Sequence, residues 1–229
     1  MTHFNLEADH TGRPLRPKVA VDTVVLAFTE GRLQTYLLKI GRGPARGKWA
    51  FPGGLVRAGE TLDDAARREL RAAGVGPGIH LEQLFTFGDP RRDPRAHVVS
   101  VAYLGLLADQ GEVSPPAGKY VDGRWFSVAA LPTLGYDHSL MARRAVGRLR
   151  AKLGYTNIAC NLLPGTFTFS ELETLYAAVL RRRLDRRNFR RRILAMNILR
   201  RTAAMRRGAH RPACLYRFAQ RTAQIAEIL

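Results

Sequence analysis

Apolar and polar positions follow two different rhythms along this chain, and the rhythm changes near residues 138–155. In the first part, apolar residues come in short blocks or alternate with polar ones, the signature of strands. KVAVDTVVLAF (18–28) and RLQTYLLKI (32–40) read as two strands separated by Glu30-Gly31, a hairpin signal. Further strands are predicted at LEQLFTF (81–87), AHVVSVAYLGLL (96–107) and GRWFSV (123–128). Among them lies one helix, from Leu62 to about Ala73, entered from the loop FPGGLVRAGET (51–61).

After the change the spacing is helical. Ala142, Val146, Leu149 and Leu153 form one stripe, and Leu172, Leu175, Tyr176 and Val179 form another at i, i+3, i+4, i+7. Ser170 with Glu173 reads as a capping box for that second helix. A third helix is predicted to start after Asp185, a good N-cap, and to run through RRNFRRRILAM (186–196). RRGAHRP (206–212) then separates two strand candidates, NILRRTAAM (197–205) and ACLYRF (213–218). Two helices at a turn followed by a strand pair have the shape of a helix-turn-helix with a β-wing. On the third helix Phe189, Ile193 and Met196 share one face and read as core, which turns Arg187, Asn188 and Arg191 outward.

Charge gives that outward face a partner. The chain has 229 residues, 37 Lys+Arg against 19 Asp+Glu, and a net charge of +18. Residues 151–229 hold 16 basic and 4 acidic residues, so +12 of the total lies in the last third. A basic helix in a winged fold points to double-stranded DNA. An acidic-lipid surface helix would show a broad apolar face with Trp or Leu, and an RNA-stacking platform needs more exposed aromatics than Phe189, Tyr216 and Phe218 supply. Arg187, Asn188 and Arg191 are therefore the candidates for base edges, because Arg reads guanine bidentately and Asn reads adenine. Arg186, Arg190 and Arg192 are assigned to phosphates, and Arg206, Arg207 and Arg211 at the wing to the backbone or minor groove. Only two cysteines occur, Cys160 and Cys214, and no apolar stretch reaches membrane-spanning length, so a cytoplasmic protein without membrane contact is expected. Residues 1–15 read as a flexible N-terminal arm leading into the basic stretch TGRPLRPK at 11–18.

Residues 54–75, GLVRAGETLDDAARRELRAAGV, carry chemistry at fixed spacing. They resemble the Nudix box, G-x5-E-x7-R-E-U-x-E-E-x-G-U with U aliphatic. Gly54, Glu60, Arg68, Glu69 and Leu70 fall at the required places. The two glutamates that should follow are Ala72 and Ala73, and the segment ends one residue short. Such a box works by holding a divalent cation on helix carboxylates beside a diphosphate, which activates water. With Glu69 alone, that cluster is dismantled. Glu60 and Arg68 resemble the family's brace between loop and helix, and Asp63 and Asp64 read as helix N-terminal acids. A binding platform is expected to survive: Gly53 and Gly54 permit close backbone approach, the helix N-terminus offers N–H groups, and Arg57 reaches over them. Arg91, Arg92 and Arg95 lie in a Pro-containing loop where guanidinium groups are placed to pair with phosphate or stack on adenine.

With the basic half included, the whole chain resembles the Nudix-related transcriptional regulators, the NrtR-type repressors. The carrying segments are the damaged box, KLGYTNIACNLLPGTFTFSELETLY (152–176), LDRRNFRRRIL (184–194) and RPACLYRF (211–218). The resemblance implies an α+β protein: a Nudix-like sensor over 16–138 and a winged helix-turn-helix over 139–229. It further implies a homodimer on a palindromic operator, released by ADP-ribose or a related nucleoside diphosphate, with no cofactor required and NAD-related or sugar metabolism as the regulated pathway. The competing reading is a working ADP-ribose pyrophosphatase that carries a basic tail.

Overall fold

The computed structural model describes residues 16–111, 113, 119–207 and 212–220. The N-terminal arm and Arg211 lie outside them. Two strands, β1 (Lys18–Thr29) and β2 (Arg32–Ile40), pair antiparallel across Glu30 and Gly31, both at positive φ (53° and 73°), the geometry of the tight hairpin turn that the sequence signals. Two short strands, β3 (Trp49–Ala50) and β4 (Gly53–Leu55), lead to helix α1 (Leu62–Ala72). Three longer strands complete the sheet: β5 (His80–Phe87), β6 (Val98–Leu107) and β7 (Tyr120–Ser127). β1 runs parallel to β6 on one side, while its other side is shared between β2 at residues 26–29 and β4 at residues 20–22. The sheet therefore opens along one edge of β1.

The two faces of this sheet carry different partners. On the face of the odd-numbered β1 residues, Val21 packs with Ala65 and Ala66 of α1 and with Tyr103. On the even face, Val24, Leu26 and Leu104 join Met141, Ala145 and Leu149 of a long helix, α2 (His138–Tyr155). α2 is fastened at both sides. Arg148 donates to the Leu84 carbonyl (2.9 Å) and Lys152 to Glu82 (2.5 Å) on β5, while Arg150 donates to the Val179 carbonyl (2.7 Å) of α3 (Phe169–Leu180).

The C-terminal part is the winged helix that the periodicity predicts: a 3-10 turn (Ile158–Asn161), β8 (Phe167–Thr168), α3, α4 (Arg186–Ala195), β9 (Leu199–Arg206) and β10 (Ala213–Phe218). The three strands form one sheet in the order β8-β10-β9. The capping box differs from the predicted one. Thr168 accepts from the Glu171 N–H (3.2 Å), and the Glu171 carboxylate accepts from the Thr168 N–H (2.7 Å), so Ser170 already lies inside the helix. Buried Phe169 sets that phase, since it must face Phe189 and Tyr216. One apolar cluster runs from the first sheet through α2 to Leu172, Phe189 and Ile193.

Candidate functional site

A cavity of about 530 Å³ opens on the even face of the first sheet, where β1 parts from β2. Its size suits a nucleotide-sized ligand. Lys18, Ala20 and Asp22 form its floor by strand alternation, and Gly53, Gly54, Lys119 and Tyr120 form one wall. Arg92, Asp93, Arg95, Tyr136 and His138 form the other. Five cations (Lys18, Arg42, Arg92, Arg95 and Lys119) line it against Asp22 and Asp93, and with Asp137 and Glu69, which pair with Arg92 and Lys119, a small positive excess remains that favours an anion.

Of the predicted ligand residues, Gly53, Gly54, Arg92 and Arg95 come together at this cavity. Arg57 and Arg91 do not line it. The Arg57 N–H donates to Glu60 (3.0 Å) within a loop that leaves the side chain at the surface, and Arg91, 92% exposed, faces Asp89. The N-terminus of α1 does not line the cavity either. Thr61 caps it by accepting from the Asp64 N–H (3.1 Å), Asp64 accepts from the Thr61 hydroxyl (2.6 Å), and Asp63 accepts from Tyr103 (2.5 Å).

Arg92 is held more firmly than a loop arginine. Its guanidinium is 4% exposed and makes a bidentate pair with Asp137 (2.9 and 2.7 Å), with Asp22 at 3.5 Å. Asp137 immediately precedes α2, and His138, its first residue, is a buried wall of the cavity. His138 stacks on Phe51, and its Nδ1 accepts from the Phe51 N–H (3.0 Å), which leaves the ring proton on Nε2, 3.6 Å from Asp22. Burial holds its pKa below the ordinary value, so the ring is neutral. Arg95 pairs with Asp93 (2.7 and 2.9 Å) and lies over Tyr136.

The box residues build a brace beside this cavity. Arg68 donates to both oxygens of Glu60 (2.6 and 2.8 Å), to the Leu55 carbonyl (3.0 Å) and to Glu69 Oε1. These bonds, together with the Arg57 N–H, lower the Glu60 pKa to about 2. Gly54 lets the Glu69 carboxylate lie against β4 where any Cβ would collide with it. The other Glu69 oxygen, Oε2, is 3.2 Å from the Lys119 ammonium. Both oxygens of Glu69, the glutamate that remains of the helix cluster, thus face cations, while Ala72 and Ala73 offer no side-chain oxygen. Among the described residues no group of three His, Cys, Asp or Glu could hold a metal ion. This donor set does not fit the divalent cation of a working Nudix box.

Sequence reasoning missed Lys119, Tyr120, Asp22, Tyr136 and His138. Only Asp22 had a usable signal, a polar residue within the alternating run 18–28, while the others reach the cavity by strand pairing and chain return.

The second candidate surface is α4. Phe189 and Ile193 are buried, and Arg186, Arg187, Asn188, Arg190, Arg191 and Arg192 are exposed. Arg191 donates to the Asn188 side chain (2.9 Å), so two of the candidate base readers already sit together. Arg190 is folded back: it donates to Tyr216 (3.1 Å) and covers Phe169 at 4.6 Å, which gives its guanidinium a role inside the domain. A cleft of about 330 Å³ before and along α4 is lined by Arg182, Arg183, Asp185, Asn188 and Arg192. On the wing, Arg206 pairs with Glu171 (2.5 Å) and Arg207 is exposed.

Comparison with known proteins follows the same division. The NUDIX domain family model matches residues 16–145, and the NrtR DNA-binding winged helix domain model matches residues 159–218. The chain is 31% identical over 210 residues to the ADPR responsive transcriptional repressor NtrR of Acinetobacter baylyi, covering 89% of this chain and 82% of that one. Its fold is similar to that of Shewanella oneidensis NrtR complexed with a 27mer DNA, with a TM-score of 0.77 at 28% identity, over 87% of this chain and 93% of the other. The NUDIX domain of that protein complexed with ADP ribose gives a TM-score of 0.55 at 27% identity, over 58% of this chain and 89% of the domain.

Proposed function

Because this chain belongs to the NrtR-type family of Nudix-related transcriptional regulators, we propose that it is a DNA-binding repressor whose Nudix domain senses ADP-ribose or a closely related nucleoside diphosphate. The observation that carries this reading is the position of Arg92, which belongs both to the cation-lined cavity and, through Asp137, to the entrance of α2. A ligand phosphate that draws on Arg92 weakens its hold on Asp137. α2 is anchored to β5 and α3, so a change at its first turn alters how the winged helix is presented. In a homodimer the two α4 helices enter major grooves about one helical turn (~34 Å) apart, or a multiple of it, and a shift of a few ångströms forfeits one half-site.

The Nudix domain in this reading binds without cutting. Hydrolysis needs a cation cluster to generate the nucleophile, and Glu69 with both oxygens engaged cannot supply it. α4 reads the operator with Arg187, Asn188 and Arg191, while Arg186, Arg192 and the wing arginines Arg206 and Arg207 position the duplex.

One titration tests both parts. ADP-ribose is added, with Mg²⁺ or Mn²⁺ present, to the full chain bound to DNA from upstream of its own gene, and DNA release and ligand cleavage are followed together. Release with intact ADP-ribose is the expected result. Turnover at ordinary Nudix rates, abolished by Glu69→Gln, would show an enzyme instead.

A further inference from the structure

The lysine at the edge of the cavity is held by two oxygens of the kind that bind divalent cations. Lys119 Nζ donates to the Gly53 carbonyl (2.5 Å) and lies 3.2 Å from Glu69 Oε2. A carboxylate oxygen and a backbone carbonyl are the donors that a hard divalent cation takes. The Lys119 side chain, 43% exposed, is tethered at both ends. The Lys119 carbonyl accepts from the Gly41 N–H (2.8 Å), tying its backbone to the end of β2, and the ammonium rests against the ring of the next residue, Tyr120 (4.9 Å). Tyr120 itself donates to the Gly53 carbonyl (3.3 Å).

We propose that Lys119 replaces the divalent cation of the Nudix site and supplies the positive charge that binds the effector's diphosphate, so that ligand binding is independent of metal. An ammonium carries three N–H donors. Two point at Glu69 and Gly53, and the third is left for a phosphate oxygen in the cavity that Lys119 lines. Lys18, Arg42 and Arg95 on the same lining add to the field around it. The substitution also separates binding from chemistry. A divalent cation attracts the diphosphate and, as a Lewis acid, turns its bound water into a nucleophile, whereas an ammonium provides only the attraction. The presence of Ala at positions 72 and 73 follows the same logic, since Arg68 and Lys119 are already balanced by Glu60 and Glu69 and an ammonium needs no further carboxylate.

The inference rests on the nucleoside-diphosphate reading of the cavity, and its test keeps the two apart. ADP-ribose and inorganic pyrophosphate are each titrated calorimetrically into the full chain in EDTA and in millimolar Mg²⁺. Wild type is expected to bind ADP-ribose equally in both buffers. Lys119→Met should weaken binding in EDTA roughly ten- to hundredfold, the value of one charge-assisted hydrogen bond. Lys119→Arg should retain most of the affinity, and Mg²⁺ should restore part of it to Lys119→Met, whose Glu69 oxygen is uncovered. Lys119→Gln serves if the methionine variant melts early. ADP-ribose binding that requires Mg²⁺ in wild type, or an unchanged affinity in either neutral variant, overturns the role of Lys119 and leaves the effector reading intact. Metal-free pyrophosphate binding that depends on Lys119, without ADP-ribose binding, keeps the role and removes the effector. If neither compound binds wild type in either buffer, both fall.

Discussion

Arg68 ties four elements of the site together through one guanidinium: Glu60 in the loop, Leu55 on β4, Glu69 on α1 and, through Glu69, Lys119. The box spacing made Glu60, Arg68 and Glu69 readable because loop and helix are contiguous in sequence. Lys119 and Asp137 were not readable, because they reach Glu69 and Arg92 only after β2 pairs with β7 and the chain returns to start α2. The Glu60 brace has a pH signature. Its folded-state pKa, about 2, lies below the ordinary value of 4.5, so its contribution to stability is full above the ordinary value and is lost as pH falls through the folded one. Glu60→Gln should therefore be less stable than wild type at neutral pH, with the gap closing between about pH 4.5 and 2. Chemical denaturation across that range checks this; a gap independent of pH would show that the carboxylate charge is not what Arg68 holds.

At the level of elements, α4 shows how far periodicity reaches. The i, i+4 pair Phe189 and Ile193 fixed which way the helix faces, and that alone turned Arg187, Asn188 and Arg191 outward. It could not show Arg190 turning back to Tyr216 and Phe169, since those contacts come from β10 and α3. The start of α3 was misread for a related reason: Thr168-x-x-Glu171 and Ser170-x-x-Glu173 satisfy the same capping pattern, and only the burial of Phe169 chooses between them. The arginines should accordingly separate by variant. Arg187→Ala or Arg191→Ala should cost about 1–3 kcal/mol at the specific operator and relax its sequence preference, as base contacts do. Arg190→Ala should lower the melting temperature of the protein and weaken specific and random DNA together. Anisotropy titrations on operator and scrambled duplexes, with a melting curve for each variant, distinguish these outcomes. Unchanged DNA binding in all three would mean that α4 is not the reading helix.

For the whole molecule, charge and connectivity point the same way. The basic excess lies in the winged helix and the anion-attracting cavity lies in the Nudix domain, with α2 packed on both. Such an arrangement couples two ligands only if each prefers a different placement of α2, and the coupling is then reciprocal. Asp137→Asn weakens the bidentate pair with Arg92 and should reduce this coupling while both ligands still bind. The most direct measurement is a pair of affinities on the full chain: operator DNA with and without saturating ADP-ribose, and ADP-ribose with and without saturating operator. Each ligand should weaken the other by the same factor, roughly 5- to 150-fold as allosteric couplings run, and by a smaller factor in Asp137→Asn. Operator affinity unchanged by saturating ADP-ribose would contradict it.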